Sequence, residues 1–165
     1  MPHLLDKKNV EMLTSHRVFT EAELKSRYEI MLENYCKTII IEANTMVDMA
    51  KTQIAPAIEG YTADVARSAA AKKAIDSALT CSYETGVVRK LSALTDRIAS
   101  KAEELETALI SLSDAEDIGA ESIIIRDTVL VLMGELRIAC DEAETLTAKS
   151  YWPMPTYADL LFGVK

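Results

Sequence analysis

Residues Glu121–Leu146 read ESIIIRDTVLVLMGELRIACDEAETL. Counted from Ile118, apolar or small residues recur at Ile118, Ser122, Ile125, Val129, Leu132, Leu136, Ala139, Ala143 and Leu146. The steps alternate between four and three. That 3.5-residue spacing marks a helix burying one seam against other helices. Leu132 sits in the seam and is expected in the core. Ile124, Val131 and Ile138 widen the stripe and predict a second neighbour.

Working back from this helix, Ser111 to Asp117 reads as a tight turn. Ser113 is the predicted cap, and Asp114, Glu116 and Asp117 suit the positive end of the helix that follows. Upstream, Leu91, Leu94, Ile98, Lys101, Leu105, Ala108 and Leu112 again step by three and four. Thr80-Cys81-Ser82 leaves two readings: Ser82 caps a new helix, or one helix runs through. Gly86 weakens the second. A helix is predicted to start near Thr62. Its alanines, Ala66 to Ala78, would let a neighbour approach closely. Pro56 is expected to kink or end the preceding helix, with Gly60 strengthening the stop. That helix opens with a capping box, Thr20 to Glu23, and Phe19 and Leu24 form a hydrophobic staple around it. Asp6 can cap a short helix to about Ser15, and His16–Phe19 is a link. No segment alternates with period two, so no strand is predicted. The fold class is therefore all-α: an elongated antiparallel bundle of three to four long helices, with a short N-terminal helix and a Pro/aromatic C-terminal tail. Residues 1–165 read as a single helical domain, with 151–165 a docking tail within it. A helix of about 35 residues would be on the order of 50 Å long.

Composition narrows the function. A net charge of −8, with no run of Lys and Arg beyond the doublets Lys7-Lys8 and Lys72-Lys73, argues against nucleic acid. No window approaches the ~18–20 apolar residues of a membrane span. The amphipathic faces are acidic, which disfavours a membrane surface. Cys36, Cys81 and Cys140 are well separated and lack CxxC spacing, so reduced thiols and a cytoplasmic setting are expected. Cys36 and Cys140, inside helical apolar runs, are expected to be buried. The first residues do not read as a signal peptide.

Chemistry is scarce. A di-metal carboxylate bundle needs inward Glu residues and two Glu-x-x-His pairs. The only histidines are His3 and His16. Glu42, between Ile39 and Met46, is the best candidate for an inward acid. Its expected partner is a Lys, Arg or Tyr rather than a metal. Asp114–Ile125 places Ile118 and Ile125 where a calcium loop needs oxygen ligands, so a helix cap explains its acids better. No P-loop, GxGxxG or GxSxG occurs. Tyr28 with Tyr35, and Met31 with Met46 and Met49, read as packing stripes. The expected site residues are accordingly none: no catalytic, cofactor-binding or metal residue.

The tail YWPMPTYADLLF, Tyr151 to Phe162, interrupts the helical pattern. Pro153 and Pro155 favour extended backbone. Thr156 can cap a last short helix, with Asp159 reaching back. So apolar a tail should fold back and dock rather than hang in water. Together with SRYEIMLE (26–33) and IEANTMVDMAKTQIAP (41–56), it resembles the C-terminal end of the type III glutamine synthetases. Lys90-Leu91-Ser92-Ala93-Leu94 and Glu135-Leu136-Arg137 fit the same family. The resemblance implies an enzyme that makes glutamine from glutamate and ammonia with ATP and a divalent metal. Its catalytic residues would lie upstream of a stretch like this one. It implies a structural and assembly role for this stretch, inactive alone. The implied partners are the catalytic part of the same enzyme and neighbouring subunits of a homo-oligomer. The other readings are a free-standing helical interaction module and, disfavoured by the missing histidines, a ferritin-like metal enzyme.

Overall fold

A computed structural model describes residues 2–155 and 157–163. Among these there is helix and no strand. A 3₁₀ turn, Pro2–Leu5, leads into α1, Lys7–Ser15. Asp6 stands at the N-cap of α1 but makes no side-chain cap bond. Its carboxylate instead meets His3 Nδ1 at 3.0 Å.

The first long rod is α2 (Glu21–Met49), a π-helical turn (Ala50–Ile54) and α3 (Ala55–Ile75) in unbroken succession. Its start is the predicted capping box. The Thr20 N–H donates to Glu23 Oε2 at 2.8 Å, and the Glu23 N–H donates to Thr20 Oγ1 at 3.2 Å. Of the two outcomes expected at Pro56, a kink or a stop, the stop does not occur, and no new helix begins at Thr62. The π turn explains why. The Ala55 N–H reaches back to the Ala50 carbonyl, five residues away. This wider turn relieves the clash an α-helical Pro56 would make with the carbonyl of Thr52. The rod is thus 55 residues long, about 80 Å at the α-helical rise.

The chain reverses over 76–81, which settles the ambiguity near Ser82 in favour of a break. Cys81 takes a left-handed conformation, φ 47°, just before α4, Ser82–Ser111. A 3₁₀ turn, Leu112–Asp114, then leads to α5, Ile118–Ile124. The cap here is Asp117, which accepts from the Ala120 N–H at 2.8 Å. Ser113, the predicted cap, donates back to the Ile110 carbonyl at 2.9 Å. A second π turn, Ile125–Val129, joins α5 to α6, Leu130–Leu146. Helix α7, Tyr157–Phe162, closes the described chain. Thr156, its expected cap, lies outside the described residues.

Cross-helix pairs give the topology. Lys72 meets Glu84, and Lys51 meets Glu106 at 2.6 Å, so α4 runs antiparallel to the first rod. Lys101 on α4 meets Glu135 on α6 at 2.9 Å. Helix α4 is the middle member, packed on α3 and α6, while α2 also packs on α5. The core is continuous: Cys36, Ala43, Val47, Ile54 and Ile58 meet Leu91, Ile98 and Leu105, and Ile125, Val129, Leu136 and Ala143 complete it. The predicted seam is therefore the buried one, although Leu132 is half-buried at its edge.

Two packing expectations fail. Ala66, Ala70, Ala71, Ala74 and Ala78 face solvent, because α4 approaches α3 through Ile58 and Thr62 instead. Val131 and Ile138 are exposed, and only Ile124 of the widened stripe packs on the core, although the helix does meet the two expected partners, α4 and α2.

Candidate functional site

Two uncovered apolar regions stand out. The first is along α2, where Ile30, Met31 and Tyr35 in its N-terminal half, and Ile41 beyond them, are exposed. Helix α4 stops opposite the middle of the rod. Over its N-terminal half α2 borders the N-terminal elements on one side and α5 with the second π turn on the other. The result is two adjoining grooves. One, between α2 and α5, is about 450 Å³ and is lined by Tyr28, Met31, Leu32, Tyr35, Ile123 and Arg126, with Gly119 and Ser122. The other lies between α2 and the N-terminal elements, lined by His3, Phe19, Leu24 and Arg27. The staple pair Phe19 and Leu24 thus share one wall, and the Arg27 guanidinium sits 4.6 Å above the Phe19 ring. Tyr28 and Tyr35, expected as a packed stripe, both line the open groove, and Tyr35 is exposed. Of the methionines, Met46 packs on the core and Met31 is exposed.

The second region is the tail. It folds back as far as Met154. Tyr151 stacks beside Tyr61 with ring centroids 5.3 Å apart, and its hydroxyl donates to the Asp64 carboxylate. Trp152 and Met154 pack on the core. The indole N–H of Trp152 is buried with no partner among the described residues. Further along the tail, Leu160, Leu161 and Phe162 are 68%, 69% and 79% exposed. Lys149 holds Asp159 at 2.9 Å and so tethers α7 to the end of α6.

The titratable groups are structural. Glu42 is exposed, not inward. The buried face of α2 passes through Ala43 and Val47, and Glu42 lies about 100° away from it. Among the described residues no His, Cys, Asp or Glu side chains converge into a possible metal site. All three thiols are free and buried, Cys36 and Cys140 as expected. Burial first, and then Asp141, pushes Cys140 up to about 11. Burial, then Glu121, likewise raises Cys36. Lys101, expected on the apolar stripe of α4, lies at its rim. Glu104 and then Glu135 hold its ammonium above the usual lysine range.

The exposed half of α2 is the feature that sequence reasoning missed. Its signal was present, since the apolar residues of α2 cover more of its circumference than one seam requires.

The chain can now be compared with known proteins. Residues 1–73, the N-terminal elements and nearly all of the first rod, match the family model of the glutamine synthetase C-terminal domain. A glutamine synthetase of Butyrivibrio fibrisolvens is 33% identical over 168 residues, covering 100% of this chain and 24% of the relative. A type-3 glutamine synthetase of Dictyostelium discoideum is 26% identical over 98% of this chain and 23% of its own length. A glutamine synthetase of Bacteroides fragilis (strain YCH46) is 24% identical over 97% of this chain and 22% of its own. The chain spans about a quarter of the length of the curated relatives it matches. By these matches the chain is similar to the C-terminal domain of the glutamine synthetases, a type-3 member among them.

Proposed function

We propose that this chain works as the C-terminal structural and assembly domain of a cytoplasmic glutamine synthetase, and is not catalytic alone. The whole enzyme would ligate ammonia to glutamate with ATP and divalent metal. The domain would brace the catalytic part and shape contacts between subunits of a homo-oligomer. The observation that carries this reading is the pairing of end-to-end similarity over a quarter of the relatives with two apolar regions that the chain leaves uncovered. A bundle with a continuous core does not need Met31, Ile41 or Phe162 in water, and exposed apolar patches of this kind mark contact surfaces.

The test is direct. The pure chain, supplied with glutamate, ammonia or hydroxylamine, ATP and magnesium or manganese, should form no γ-glutamyl product. Measurable metal-dependent product would overturn the reading. In an enzyme containing this chain, removing residues 151–165 should lower assembly before it alters the metal or nucleotide dependence of what remains.

A further inference from the structure

Several surface charges of this chain are paired at helical spacing. Glu33 holds Lys37, Asp64 holds Arg67 and Asp141 holds Arg137, each three or four residues away. The open face of α4 departs from this. Two ion pairs locate that face. Glu106 reaches Lys51 on the first rod, and Lys101 reaches Glu135 on α6. At about 100° per residue, the side of α4 opposite these two contacts carries Arg89, Lys90, Asp96, Arg97 and Glu103. All five are exposed, and their side chains make no ion pair or hydrogen bond among the described residues. None has an opposite charge three or four residues away on the helix, where pairing within α4 would occur.

The signs on this face are ordered. Two rows run along it at seven-residue spacing, Arg89, Asp96, Glu103 and Lys90, Arg97, Glu104. In both rows the N-terminal member is basic and the C-terminal member acidic. Gly86, Ala93, Ser100 and Thr107 run between the rows at the same spacing and keep the middle of the face low. An antiparallel copy of the same face reverses the sign order and so complements it.

Resting on the assembly role proposed above, we infer that α4 of one copy packs antiparallel on α4 of a second copy, about a two-fold axis beside Asp96 and Arg97. Arg89 then faces Glu103 of the second copy, and Lys90 faces its Glu104. The two-fold repeats both contacts. Glu104 also holds Lys101 at 2.7 Å, so the contact of Arg89 with Glu103 is the stronger of the two. At the axis, two Asp96 and two Arg97 form a cluster with no net charge. The small residues between the rows let the two helices approach closely over 86–107, about 32 Å of helix. Parallel pairing would set Arg89 on Arg89 and Glu103 on Glu103, so the sign order selects the antiparallel one. The two rows hold three basic and three acidic residues, in a chain of net charge −8. This face therefore escapes the repulsion that most of the surface would impose on a second copy.

Sedimentation of the whole chain with a charge-exchange series tests the contact. The parent should dimerise at low salt, and dimerisation should weaken as salt rises. Arg89→Glu and Glu103→Arg each turn two attractive contacts into repulsive ones and should weaken the dimer by about tenfold. The double variant restores both contacts with the signs exchanged and should dimerise like the parent. Both side chains are exposed and unpaired, so circular dichroism and melting should match the parent throughout. A monomeric parent, a single variant that dimerises like the parent, or a double variant no better than the single ones would each overturn the inference. Those results leave the assembly reading standing, with the catalytic part of the enzyme as the partner of α4. Catalysis by the pure chain would overturn the assembly reading and leave the dimer measurement as it is.

Discussion

The ring of Tyr151 lies over Gly60. A Cβ built on Gly60 would meet Tyr151 Cδ1 at 3.8 Å. That is ordinary contact, so the glycine is not required by space, and its φ is negative. Gly60→Ala should therefore stabilise the chain by about 0.5–1 kcal/mol, the usual gain of Ala over Gly inside a helix. Gly60→Leu should displace the ring and lower stability. Tyr151→Phe keeps the stacking but loses the bond to Asp64, and should cost about 1 kcal/mol. Urea unfolding of the three variants checks all of this.

Leu136 is fully buried on the seam, whereas Leu132 lies at its edge. Leu136→Ala should cost about 2–5 kcal/mol, because it opens a cavity where three helices meet. Leu132→Ala should cost less than half of that. Equal losses would mean that α6 is rotated relative to the structure described.

The ion pair of Lys72 and Glu84 closes the first turn of the bundle. The side-chain hydrogen bond from Lys72 holds the Glu84 carboxyl below the usual glutamate range, and Glu84 holds the Lys72 ammonium above the usual lysine range. The signs differ. The Glu84 contribution is present above the unfolded carboxylate range and is lost as pH falls through the lowered folded value. The Lys72 contribution is present at neutral pH and is lost as pH rises through the raised ammonium value. Glu84→Gln should flatten both limbs of the stability–pH curve. An unchanged acid limb would show that the pair contributes nothing.

Trp152 buries its indole N–H without an acceptor among the described residues. Trp152→Phe removes that unpaired donor and most of the ring contact stays, so stability should change by less than about 1 kcal/mol. Trp152→Ala should cost about 2–3 kcal/mol. The native fluorescence should be blue-shifted and move red on unfolding. A water-like emission from the native chain would show that the tail is undocked.

Much of this fold is legible in the order of residues, where one principle acts alone. The capping box at Thr20 is a local hydrogen-bond pattern, and the seam from Ile118 to Leu146 is a local period. Legibility fails where two effects compete. Pro56 signals a stop, yet packing of Ile54 and Ile58 on α4 keeps the rod continuous, and one widened turn reconciles the two. Ser113 and Asp117 are both cap residues, and only the position of the chain reversal selects Asp117. Val131 and Ile138 look buried because sequence records that a face is apolar, not whether a neighbour exists. The same limit hides the groove beside Met31. The tail is intermediate: its aromatic content predicts docking, but only the fold shows that it is half complete.

The π turns carry a consequence for lineage. Each has the form of one extra residue inserted into a helix whose two flanks keep their packing. Removing one residue between Ile125 and Val129 should therefore be tolerated, since ordinary α-helix can close the gap. Removing one between Ala50 and Ile54 should not, because Pro56 would then face a carbonyl it cannot pass. Homologous chains that lack the first extra residue are expected to lack the proline as well.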